Sequence, residues 1–141
     1  MNDEKDVDKA ELEAAWDYAR AYYKDEKVLA TFEPLARHIP AAFVGYMKLR
    51  QGIFQEPPAS ELSLKTKELV IIAIECAQKK TNPPPVGHTR RAIAAGATVG
   101  EIAEVVSICI MICGMLTYQE SGRFVLEEAE RLVGELGATG H

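Results

Sequence analysis

The chain has 141 residues, 48% of them apolar and 26% charged, a size and balance that suit one globular domain burying roughly two thirds of its unfolded surface. A net charge of −5 and the lack of any basic stripe speak against a nucleic-acid-binding surface. No window approaches the roughly 18 uncharged apolar residues of a membrane span. The first residues are acidic and polar, unlike a signal peptide, and three irregularly spaced cysteines make no disulfide framework, so a cytoplasmic setting is expected.

Residues 1–7 read as a solvated tail. Asp8 is placed to cap a first helix over 8–24, whose stripe of Leu12, Ala15, Trp16, Ala19, Tyr22 and Tyr23 has helical spacing and suits core or subunit contact. A short helix over 28–38 follows. Pro40 fits the first turn of a third, over 40–54, because its missing N–H would be unpaired there; Phe43, Val44, Met47, Leu49 and Ile53 keep that helix apolar. Two prolines, Pro57 and Pro58, stop it.

Ser63 is a good N-cap for a central helix over 64–79. The unbroken run from Leu69 to Ile74 would bury it on most sides, with help expected from neighbouring subunits. The β-branched Val70, Ile71 and Ile72 also fit a buried strand, but length and flanking residues favour helix. A proline-rich joint at 81–85 leads into a helix over 85–95, which Gly96 ends in a left-handed conformation. Thr98-Val99-Gly100-Glu101 is a capping box. The helix it opens carries Ile102, Val105, Val106, Cys109, Ile112 and Cys113, breaks near Gly114, and precedes a last amphipathic helix over 116–136. The expectation is an all-α, single-domain helical bundle of about six helices over 8–136, with tails at 1–7 and 137–141.

Few residues invite chemistry. Glu68 and Glu75 lie seven apart, on one face of the central helix and roughly 10 Å apart along its axis, too wide for a glycosidase carboxylate pair. Glu75, among Ile71, Ile72 and Cys76, would serve as an acid or base if buried. Surface pairs of Glu75 with Lys79 and of Glu68 with Lys65 are the plain alternative. His88 falls in the first turn of its helix, where a neutral imidazole able to accept a proton is favoured. Arg91, one turn on, has the fork that holds a carboxylate. Cys76, Cys109 and Cys113 read as small core thiols, and with only His38 and His141 besides His88 there is no metal-ligand spacing.

One stretch carries more. Lys67-Glu68-Leu69, then His88, then Arg91-Ala92 through Ala95-Gly96-Ala97-Thr98 and Glu101-Ile102, with Cys113-Gly114 at the helix end, resembles the carboxymuconolactone decarboxylase family, which includes the alkylhydroperoxidase D-like proteins. The resemblance spans about residues 40–135, with a signature region at 63–117. It implies an all-α homo-oligomer, a trimer or hexamer. Its peroxidase branch carries a Cys-x-x-Cys four and seven residues before the histidine; here those places hold Pro84 and Thr81, so thiol-dependent peroxidase or disulfide reductase chemistry is disfavoured. The decarboxylase branch implies a cofactor-free lyase acting by proton transfer on a small carboxylated or lactone-like molecule. Glu68 and His88 match its catalytic positions, and Arg91 and Glu75 are candidates to bind substrate. Glu75 stands where the family usually has a small residue. A non-catalytic oligomeric small-molecule-binding protein is the alternative.

Overall fold

The computed structural model describes residues 7–80 and 86–139, so the proline-rich joint expected at 81–85 lies outside it. Regular structure among the described residues is all helical, as expected. Seven α-helices follow in order: α1 Lys9–Tyr23, α2 Glu26–His38, α3 Pro40–Ile53, α4 Leu64–Ala77, α5 Val86–Ala94, α6 Val99–Cys113 and α7 Arg123–Thr139, with a π-helix at Tyr118–Gly122 between the last two. The chain forms two compact units that divide between Gln55 and Glu56.

In the first unit α1 and α2 pack on α3. Asp8 and Asp25 open α1 and α2 by accepting backbone N–H bonds from Ala10 and Lys27, each satisfying a donor the first turn would leave unpaired. The core gathers Ala15, Ala19, Leu29, Ala36, Phe43, Val44 and Met47, with the Trp16 and Phe43 rings tilted at 4.5 Å. On α3 the apolar side chains divide between the core and the surface. Phe43, Met47 and Arg50 point inward while Leu49 and Ile53 stay exposed, because the stripe that fits α1 runs at i, i+4 and i+7.

The second unit is built around α4, which packs against α5, α6 and the π-helix, while α7 lies on α5 and α6. Ser63 Oγ accepts the Thr66 N–H at 3.1 Å, fixing where α4 begins. Gly96, at φ 97°, closes α5 in a Schellman arrangement: the Ala97 N–H reaches Ala92 O and the Gly96 N–H reaches Ile93 O. The capping box at α6 is complete, with Thr98 Oγ1 accepting from the Glu101 N–H at 3.0 Å and Glu101 Oε2 accepting from the Thr98 N–H at 2.9 Å. Ile72, Cys76, Ala92, Ile102, Val106, Cys109, Val125 and Ala129 form the core.

The last helix runs without a break from residue 116, with the π-helix as a bulge that leads straight into α7; Ser121 Oγ donates to Lys80 O at 2.9 Å, tying the bulge to the chain just after α4. Within one chain α4 leaves Val70 and Ile74 about half exposed, the sides for which neighbouring subunits were expected to help. One expectation changes: Cys113 is exposed, while Cys76 and Cys109 are buried. α6 is apolar on nearly every side, so its periodicity cannot choose which face meets the core. No helix among the described residues is long and apolar enough to cross a membrane.

Candidate active site

α4 and α5 carry the site. Glu68 and Glu75 are two turns apart and so share a face of α4. Lys65, one turn before Glu68, pairs with Glu101 of α6 at 3.0 Å, which ties α4 to α6. α5 packs on α4, and its buried Thr89 and Ala92 alternate with His88 and Arg91, which meet the two glutamates.

The imidazole of His88 sits between the carboxylates. Its Nδ1 lies 2.6 Å from Glu68 Oε2, and its Nε2 lies 3.6 Å from Glu75 Oε1. A carboxylate accepts and does not donate, so the short contact makes Nδ1 the donor toward ionised Glu68, in the neutral ring and in the imidazolium alike. In the neutral ring Nε2 is left as acceptor, and Arg91 Nη2, 3.3 Å away, is a donor within its reach. Arg91 also brings its Nε within 3.5 Å of Glu68 Oε1. Glu68 is only 3% exposed, which keeps water from competing for its oxygens. Glu75 Oε2 is buried and has no hydrogen-bond partner among the described residues, an acceptor left for a substrate or a water.

Chemically, a buried carboxylate beside an imidazole can orient the ring and stabilise its protonated form, and a guanidinium at this distance can supply positive charge beside it. All four residues singled out in the sequence come together. The surface pairs that were the alternative do not form: Lys65 turns to Glu101 and Glu75 to His88. What the sequence did not reveal is Lys65 as the tie between α4 and α6; its only signal was a basic residue one turn before Glu68.

The thiols stand apart from this chemistry. Burial pushes the Cys76 thiol up to about 11, with further contributions from Cys109 and Glu75. Burial also raises Cys109, whose S–H donates to Ala73 O at 3.4 Å. Among the described residues no group of three or more His, Cys, Asp or Glu side chains is placed to hold a metal ion.

Fold and site thus define an all-α protein with a carboxylate–imidazole–carboxylate cluster on two adjacent helices. The sequence profile of the carboxymuconolactone decarboxylase family matches residues 40–127, which include all four site residues. The chain belongs to the carboxymuconolactone decarboxylase family. Its structure is similar to the crystal structure of a candidate carboxymuconolactone decarboxylase from Burkholderia xenovorans LB400, with a TM-score of 0.76 and 23% identity over 96% of this chain and 100% of that one; the likeness is one of fold. No curated protein matches the chain.

Proposed function

We propose that this chain is a carboxymuconolactone decarboxylase-like lyase that works without a cofactor, transferring a proton at Glu68 and His88 on a small carboxylated or lactone-like substrate. The observation that carries the reading is the 2.6 Å contact between His88 Nδ1 and Glu68 Oε2, which leaves Nε2 as the nitrogen that exchanges protons. When the bond to the carboxyl carbon breaks, carbon dioxide leaves and the electron pair stays on the substrate carbon. His88 Nε2 delivers a solvent-derived proton to that carbon, and Glu68 stabilises the imidazolium in between. Arg91 swings from the imidazole to hold a substrate carboxylate in its fork, and Glu75 Oε2 accepts from a substrate hydroxyl.

One observation favours a second reading. Arg91 Nη2 lies within 3.3 Å of both ring nitrogens, and a guanidinium that stays there would block proton transfer and leave a non-catalytic small-molecule-binding protein. The thiol-dependent reading draws no support from Cys76 and Cys109, which burial holds as thiols.

We also propose a homo-oligomer, a trimer or hexamer as the family resemblance implies, working in the cytoplasm. Val70, Ile74, Ile108, Met111, Ile112 and Met115 are each close to half exposed or more, apolar side chains that contact between copies would take out of water. The experiment is a thermal-shift screen of wild type and His88→Ala against small carboxylic acids, lactones and peroxides. A ligand that binds the native state raises the melting temperature. A rise in wild type that is lost in His88→Ala supports the site and supplies a substrate class to assay for carbon dioxide; equal rises in both place the site elsewhere. Binding without any product assigns the residues to the second reading.

A further inference from the structure

The first unit holds a buried cation whose charge no acid of the described residues answers. Arg50 projects from the inward face of α3 and is 9% exposed. Its guanidinium carbon lies 4.3 Å from the ring centroid of Tyr22, 4.6 Å from Phe54, 5.2 Å from Tyr23 and 5.7 Å from Tyr46. Nη1 donates to Tyr46 Oη at 3.0 Å. Nε and Nη2 are buried and have no hydrogen-bond partner among the described residues.

Those two nitrogens are not an arbitrary pair. They form the edge of the guanidinium whose N–H bonds run parallel, the edge that takes the two oxygens of a carboxylate. Aromatic faces stabilise the cation from above and below its plane, but they cannot satisfy in-plane donors. Tyr23 is no counter-anion, since burial holds its phenol protonated well above its ordinary range. A buried fork with both prongs unmet is rare in a folded protein, and what it lacks is two coplanar oxygens sharing one negative charge.

We propose that Arg50 and the rings of Tyr22, Tyr23, Tyr46 and Phe54 form a binding site for a small aromatic monocarboxylate. The carboxylate oxygens accept from Nε and Nη2, and the flat body of the ligand packs against the surrounding rings. The five side chains offer a single positive charge, which matches a monocarboxylate and leaves a phosphate dianion half-compensated. Tyr46, 38% exposed, forms the outer wall through which such a ligand enters. The site stands independently of the chemistry proposed at His88.

The test uses the full chain labelled with nitrogen-15 and benzoate as probe. The Arg50 Nε–H resonance is identified by its through-space contacts to the Tyr22 and Phe54 rings, so no variant is needed to find it. Benzoate is expected to shift that resonance saturably, equally in wild type and in His88→Ala, with acetate at least tenfold weaker and inorganic phosphate no competitor. Arg50→Lys, which keeps the charge and loses the fork, is expected to weaken benzoate at least tenfold. A resonance unmoved by benzoate, or a shift abolished by His88→Ala, overturns the site. Acetate acting as well as benzoate, or phosphate displacing it, overturns the aromatic monocarboxylate as its ligand.

Discussion

At the scale of single residues, the histidine between two glutamates explains why a pair of carboxylates seven residues apart is useful. They are too far apart to act directly on one another, but they bracket an imidazole supplied by the next helix. Glu68→Gln keeps the size of the side chain and removes the charge that stabilises the imidazolium; we expect turnover to fall by about 10²-fold or more, with a smaller loss for Glu75→Gln, both read from single-turnover kinetics. A second residue-scale prediction concerns acid stability. Glu128 accepts from Arg131 and Arg90, and the Arg131 bond, aided by Arg90, holds its carboxyl down at about 2 against an ordinary 4.5. The folded value lies below the unfolded one, so the contribution is complete above pH 4.5 and is lost as pH falls toward 2. Both arginines are about half exposed, which screens the pairs and keeps the effect small. Glu128→Gln should therefore flatten the acid limb of a denaturation-midpoint profile; an unchanged profile would remove Glu128 from the account. The glutamates and the histidine were legible because helical spacing assigns faces. That Nδ1 meets Glu68 and Nε2 faces Glu75 was not, since it depends on how α5 lies on α4. Arg50 was missed because a charged residue reads as surface, although its spacing from Phe43 and Met47 places it on the buried face.

At the scale of elements, signals that act within a few residues were read well. Ser63, Gly96 and the Thr98–Glu101 box each work through backbone groups within one turn, and each caps or closes its helix as the sequence implies. Thr98→Ala should cost about 1 kcal/mol, measured by urea denaturation. The π-helix left no such trace, because what permits it is contact across the unit. A Cβ on Gly122 would lie 2.7 Å from Val106 Cγ1, and Val106 is buried in the core, so the last helix approaches α6 closely only where that side chain is missing. Gly122→Ala is expected to destabilise by about 1–3 kcal/mol. A neutral effect would show that Val106 has room to turn aside.

At the scale of the whole molecule, the helices of the second unit cover one another incompletely. α6 is rich in apolar side chains all round, so patterning does not choose its buried face, and the chain itself covers only the face bearing Ile102, Val106 and Cys109. We attribute the uncovered face to contact between copies. A charge placed there is the direct probe: Ile112→Glu, at a position 72% exposed, should fold as well as wild type and shift light scattering toward smaller species. An unchanged assembly would mean that this face is not the interface. The chain forms two compact units, and composition does not announce the division because both are amphipathic helices of similar make-up.

Proton transfer at His88 is tested by release of labelled carbon dioxide from a carboxyl-labelled substrate found in the thermal-shift screen. Wild type, Glu68→Gln and His88→Ala would be compared at matched oligomeric state. Wild type should turn the substrate over, Glu68→Gln should lose about 10²-fold or more, and His88→Ala should show no measurable turnover. Undiminished release from His88→Ala would contradict proton transfer at that residue.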